Sequence, residues 1–144
     1  MKRTSSAGKR IDTSVLRSWI AIREFLMATY PGCEREPEGG REVVRVAGKP
    51  LAYLAVNERS RAPGVPANEE FVVVRIDFER REQLLESNPN TFFVTPHYQG
   101  YPGVIVRMST VDQRQLRVLL MDAWRLVAPK RLVRDWDARA GSRG

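Results

Sequence analysis

Apolar residues recur first at helical spacing and then at strand spacing. Val15, Trp19, Ile22 and Leu26 fall at i, i+4, i+7 and i+11, with Leu16 and Ile20 widening the stripe. The pattern predicts an amphipathic helix capped by Asp12 or Thr13 and ended by Pro31 and Gly32. β-branched runs at 43–46, 51–56 and 71–76 then predict three strands, the first two joined by a hairpin at Gly48, Lys49 and Pro50. The Pro- and Gly-containing connection over 57–70 is long enough to need a reason of its own. Asp77 can cap a second helix over 78–86, which Asn88 and Pro89 stop. Two more strands follow, 91–95 and 104–108, around a turn-rich stretch. In the next helix Thr110 and Gln113 read as a capping box, and Leu116, Leu119, Leu120, Ala123 and Val127 make one apolar face. Pro129 interrupts it, and a short basic helix with Leu132, Val133 and Trp136 closes the pattern.

Adjacent strands joined by hairpins and separated by helices indicate an α+β fold. The expected architecture is one domain over 13–137, a mainly antiparallel five- to six-stranded sheet packed by N-terminal, middle and C-terminal helices. A basic disordered tail over 1–12 and a flexible tail over 138–144 are expected to flank it. Length agrees with one domain, since the chain has 144 residues. With 42% hydrophobic and 28% charged residues, neither a disordered nor a fibrous chain fits. No apolar run approaches a membrane span and residues 1–10 lack a secretory core, so a soluble, cytoplasmic protein with no membrane partner is expected.

The net charge of +7 changes the picture less than it promises. Residues 1–10 contribute four cations and no acid, and 130–144 five cations against two acids. Residues 11–129 are balanced, with 15 charges of each sign. Basic ends bind phosphate without specificity or serve solubility alone.

Candidate chemistry is sparse. Gly48 and Lys49 resemble the end of a phosphate loop, but Pro50 stands where Ser or Thr must hold magnesium, and Gly40 lies eight residues before Gly48 where five are required. His97 and Tyr98 sit in a turn as a polar or ligand site with no nucleophile beside them. Cys33 lies next to Glu34, which disfavours a thiolate. Glu34, Glu36 and Glu38 alternate, so in an extended strand they share a face and form a weak candidate for a hard cation; the alternative is a charged edge strand that prevents edge-to-edge pairing. No cofactor, no resident metal and no enzymatic activity are expected.

A repeated triplet is more informative: Val44-Arg45-Val46, Val74-Arg75-Ile76 and Val106-Arg107-Met108. In each, alternation puts the arginine on the face opposite its neighbours. If register aligns them, Arg45, Arg75 and Arg107 form a row that, with Lys49, Arg59 and Arg61 on loops and Lys130, Arg131 and Arg134 in the closing segment, tracks phosphate. Otherwise they are outward positions of a one-sided sheet whose heads meet acids.

Several stretches carry a family resemblance. They are Pro31-Gly32 with Glu34 soon after, Gly48-Lys49 followed by Leu51-Ala52, TPHYQGYP over 95–102 leading into VIVRM, and the helix end at 123–130. Together they resemble the MmcQ/YjbR-like proteins over about residues 13–135. Many members carry Lys-His-Trp where this chain has His97 and Tyr98. The resemblance implies a fold similar to frataxin-like and secretion-chaperone-like domains, and DNA binding by a double wing of hairpins. The frataxin likeness adds to the case for Glu34, Glu36 and Glu38 as a metal ridge. The expected function is low-specificity nucleic-acid binding through phosphate, without catalysis. The alternatives are a protein-interaction or chaperone-like module, or a small-ligand or metal-binding domain.

Overall fold

The computed structural model describes residues 12–55 and 69–143. In chain order they form α1 (Trp19–Thr29), β1 (Cys33–Glu38), β2 (Arg41–Val46), β3 (Lys49–Leu54), β4 (Phe71–Arg75), α2 (Phe78–Ser87), β5 (Phe92–Phe93), a 3-10 turn (Pro96–Tyr98), β6 (Gly103–Arg107), α3 (Gln113–Val127) and α4 (Lys130–Arg143). The six strands make one sheet in the order β1-β2-β3-β4-β6-β5, and every neighbouring pair is antiparallel. The architecture is the expected α+β single domain.

α1 starts later than its apolar stripe predicts. Ser18, and not Asp12 or Thr13, caps it by accepting the Ala21 N–H at 3.2 Å. Upstream, the Gln113 carboxamide accepts the Leu16 N–H at 2.6 Å and donates to the Leu16 carbonyl at 2.9 Å. Arg117 donates to the carbonyls of Thr13 and Ser14. Backbone groups held this way do not enter a helical ladder, so Val15 points to solvent while Leu16 is buried. Gln113 therefore does not complete a capping box with Thr110. Asp112 caps α3 by accepting the Gln115 N–H, and the Thr110 hydroxyl bonds that of Thr91. The cap of α2 is the expected one, since Asp77 accepts the Arg80 N–H at 2.8 Å.

The β2–β3 turn is one residue earlier than the sequence suggests. Ala47 and Gly48 both have positive φ, 51° and 80°, as a primed two-residue turn requires. Lys49 and Pro50 already belong to β3, opposite Val46 and Arg45.

The sheet has two covered faces. Val44, Val46, Ala52, Val72, Val74, Val104 and Val106 join α1 and α3 in the main core with Leu26, Leu116, Leu120 and Trp124. On the other face Val43, Tyr53, Phe71, Val73 and Ile105 form a smaller core with Tyr98, against which Phe93, Val94 and Tyr101 pack. A sheet with one solvated face is therefore not what forms, because the segment after β5 folds back over that face. β4 and β6 are accordingly buried along all but their last residue.

α4 is seated by Leu132, Val133 and Trp136, which pack against the main core. It continues through Arg143, past the expected boundary at 137. Its first turn rests on Gly32, where an added Cβ would come within 2.9 Å of Leu132 Cδ1 and 3.4 Å of Val46 Cγ1. Among the described residues, no helix is long and apolar enough to cross a membrane.

Candidate nucleic-acid interface

Strand register decides where the three arginines stand. One row crosses the second face through Val43, Tyr53, Val73 and Ile105. Arg45 and Arg75 lie two residues from that row toward one end of the sheet. Arg107 lies two residues toward the other end, paired with Phe71. All three share a face, but Arg75 and Arg107 are separated by four strand steps, about 13 Å. The expected arginine row is not formed, because the antiparallel pairing of β4 and β6 sends their C-terminal arginines to opposite ends.

Two of the three are also neutralised. Glu69 takes the Arg107 guanidinium through both carboxylate oxygens. Arg45 meets Glu36 at 2.5 Å and also Glu38, and donates to the Gly48 carbonyl. Arg41, two residues before Val43, pairs with Glu38 and lies 4.0 Å over the Tyr53 ring. Arg75 has no carboxylate within ion-pair distance among the described residues.

The glutamates of β1 are thus an edge strand that meets cations, not a cation ladder. Glu36 and Glu38 spend their charge on Arg45 and Arg41. Among the described residues, no group of three or more His, Cys, Asp or Glu is placed to hold a metal ion. The Pro37 ring and the alternating charges keep this edge from extending the sheet.

The end of the sheet that holds Arg75 also gathers the other cations. Lys49 is exposed at the start of β3, opposite Val46. Leu132 touches the Gly32–Val46 corner, so α4 begins beside that hairpin and presents Lys130 and Arg131, with Arg134 one turn on, all exposed. α3 ends there too, and Arg125 bonds Asp137 of α4. Among the described residues, Lys49, Arg75, Lys130, Arg131 and Arg134 have no carboxylate partner; Asp135 offsets part of this charge. Arg59 and Arg61 lie outside the described residues.

His97 is exposed and meets the Tyr98 ring edge-on at 5.0 Å. Tyr98 is buried, and its hydroxyl lies 3.3 Å from that of Tyr53. Burial pushes the Tyr53 and Tyr101 hydroxyls up, so both stay neutral at physiological pH. These tyrosines pack and hydrogen-bond under the 96–102 turn. Burial also pushes the Cys33 thiol up, to about 11 from an ordinary 9.0. That lowers the thiolate fraction about 100-fold at pH 8. Because a higher-pKa thiolate is also intrinsically more nucleophilic, iodoacetamide is expected to alkylate folded Cys33 about ten-fold more slowly than the urea-unfolded chain at pH 8; a ratio below three would contradict it.

One positioning residue has no signature in the sequence. Arg81 of α2 is buried at 3% exposure and donates to the carbonyls of Tyr98, Gln99, Tyr101 and Gly103 at 2.8–3.3 Å. In sequence it is one of two adjacent arginines, Arg80 and Arg81, on a polar helix. Only its spacing of three residues from Leu84, the other buried residue of α2, hints at an inward face.

A family model described as YjbR matches residues 28–126. Uncharacterized proteins of Mycobacterium bovis and Mycobacterium tuberculosis are each 37% identical over 104 residues, covering 67% of this chain and 81% of theirs. A crystal structure of a protein from Pseudomonas syringae superposes with a TM-score of 0.58 at 12% identity, over 76% of this chain and 98% of that one, a likeness of fold. The matched segment takes in the sheet, α2 and most of α3, with Lys49 and Arg75, and stops before α4. By that match and by its mycobacterial relatives, the chain belongs to the YjbR family.

Proposed function

We propose that this protein binds nucleic acid, without base specificity, through the end of the sheet where the β2–β3 hairpin meets α4. The observation that carries the reading is the sorting of charge. Arg45 and Arg107 are taken up by glutamates, whereas Lys49, Arg75, Lys130, Arg131 and Arg134 converge at one end with no carboxylate partner among the described residues. Unpaired cations on a hairpin and a neighbouring helix can each displace a counterion from phosphate. An apolar sheet face for a protein partner finds less support, since Val43, Tyr53, Val73 and Ile105 are all buried. Binding without catalysis is the proposed role, as His97 is exposed with no nucleophile beside it.

The test is anisotropy of a labelled duplex across a salt series with the full chain. Replacing Lys49, Lys130, Arg131 and Arg134 together by Ala is expected to reduce the slope of log K against log salt by about 3 to 4, roughly one for each lost phosphate contact. Arg107→Ala is the control and is expected to leave the slope unchanged. Equal slopes for the fourfold variant and the parent would overturn the proposal.

A further inference from the structure

α4 is the least embedded helix of the fold. None of its residues over 130–140 is buried, and three half-buried side chains, Leu132, Val133 and Trp136, seat it. Leu132 rests on the Gly32–Val46 corner, and the Trp136 ring lies 5.1 Å from that of Tyr30 and 5.7 Å from that of Trp124. One polar tie is added, since Arg125 of α3 gives both terminal nitrogens to Asp137. The socket holds together without its occupant. Tyr30 stacks on Trp124, and the Trp124 indole donates to the Pro31 carbonyl, so both rings are fixed by groups outside α4. No strand of the sheet pairs with it.

The sequence of α4 works against it as a helix. A helix of 14 residues is marginal in water without packing. The Pro129 carbonyl accepts the Val133 N–H at 3.2 Å, so Pro129 stands at the N-cap position, where it has no side-chain acceptor to offer the first turn. That turn holds no acid and carries Lys130 and Arg131, with Arg134 four and three residues further on. Cations at this end oppose the helix dipole, and like charges at these spacings repel. Asp135 offsets part of this charge.

We propose that α4 opens from its socket as a unit while the rest of the fold stays closed, and that a nucleic-acid backbone bound at its cations holds it shut. The second half rests on the nucleic-acid reading and gives that site its regulation. Phosphates beside Lys130, Arg131 and Arg134 remove the repulsion that opposes the helix, so closure and binding strengthen each other by the same factor. The same three cations destabilise α4 in the free protein and stabilise it in the bound one.

Backbone hydrogen exchange of the full chain tests both halves. In the free protein, amides over 134–140 are expected to be about 100-fold or more less protected than those of β4 and β6. Trp136→Ala is expected to bring them to unfolded rates, and to lower protection in β4 and β6 by no more than the factor α4 loses. Arg131→Glu, which places an acid in the first turn, is expected to slow them about three- to five-fold. A short duplex at about 100 times its Kd is expected to slow them about ten-fold or more, against a ceiling of about 100-fold for a ligand that binds the closed state alone. Amides of α4 that exchange in step with β4 and β6, or a Trp136→Ala chain that unfolds throughout, overturn the opening. A duplex that binds without slowing α4, or an Arg131→Glu chain that exchanges as the parent does, overturns the coupling and leaves the nucleic-acid reading standing. A duplex that binds at no salt concentration overturns that reading and the coupling with it, and the opening is then decided by the free protein.

Discussion

Arg81→Ala is expected to destabilise the fold by about 3 kcal/mol and to lower Tm by about 10 °C. The guanidinium sits at 3% exposure and bonds four carbonyls of the 98–103 segment, with its carbon 4.7 Å over the Phe78 ring. Hydrogen bonds from a charged donor contribute about 1.5–3 kcal/mol each, and the cost of burying the guanidinium cancels part of that sum. What remains after truncation is a set of carbonyls without their donor, in a segment with little regular structure to hold it. That segment covers the second core through Tyr98 and Tyr101, so its loosening exposes Tyr53, Val73 and Ile105 as well. Arg81→Lys is expected to recover only part of the loss, because one ammonium cannot span four acceptors. Urea unfolding measures the difference, and a loss below 1 kcal/mol for Arg81→Ala would show that the clamp is dispensable.

Trp124→Ala is expected to cost more, about 4 kcal/mol, a large share of the 5–15 kcal/mol that a domain of this kind has. The indole is fully buried, stacks on Tyr30 with centroids 5.3 Å apart and planes at 26°, and meets Trp136 edge-on at 5.7 Å. Its N–H donates to the Pro31 carbonyl at 2.9 Å. The removed volume leaves a cavity bordered by α1, α3 and α4, and the carbonyl loses its donor. Because Trp136 seats α4, the placement of Lys130, Arg131 and Arg134 depends on this contact. Trp124→Phe, which keeps an aromatic ring and loses the N–H, is expected to cost about half as much. A loss below 2 kcal/mol for Trp124→Ala in chemical denaturation would overturn the assignment of Trp124 as the keystone of this corner.

Much of this protein was legible from local pattern alone. The α2 cap at Asp77, the apolar face of α3, the break at Pro129 and the seating residues of α4 all depend on groups within about four positions of each other, where backbone geometry dictates which side chains meet. Strand positions and the α+β class follow from period and from the order of elements. The cations of the candidate interface were legible as exposed residues, and for Lys130, Arg131 and Arg134 that placement held. Their sorting was not legible. Whether Arg107 is free or neutralised depends on Glu69, 38 residues away, and whether Arg45 faces phosphate or glutamate depends on β1 pairing with β2.

Gln113 shows the same division within one residue. Its spacing from Thr110 is that of a capping box, yet its carboxamide reaches 97 residues back to Leu16 and sets the start of α1. A local motif states which bonds a side chain can make, and the tertiary structure decides which bond it makes, because a buried backbone amide left without a partner costs more than an exposed cap left unfilled. Composition, period and capping chemistry by themselves determined the elements and their class. Register, the buried Arg81, the pairing of each arginine and the gathering of unpaired cations at one end were decided only when distant segments met, since antiparallel pairing sends residues of like pattern to opposite ends of a sheet.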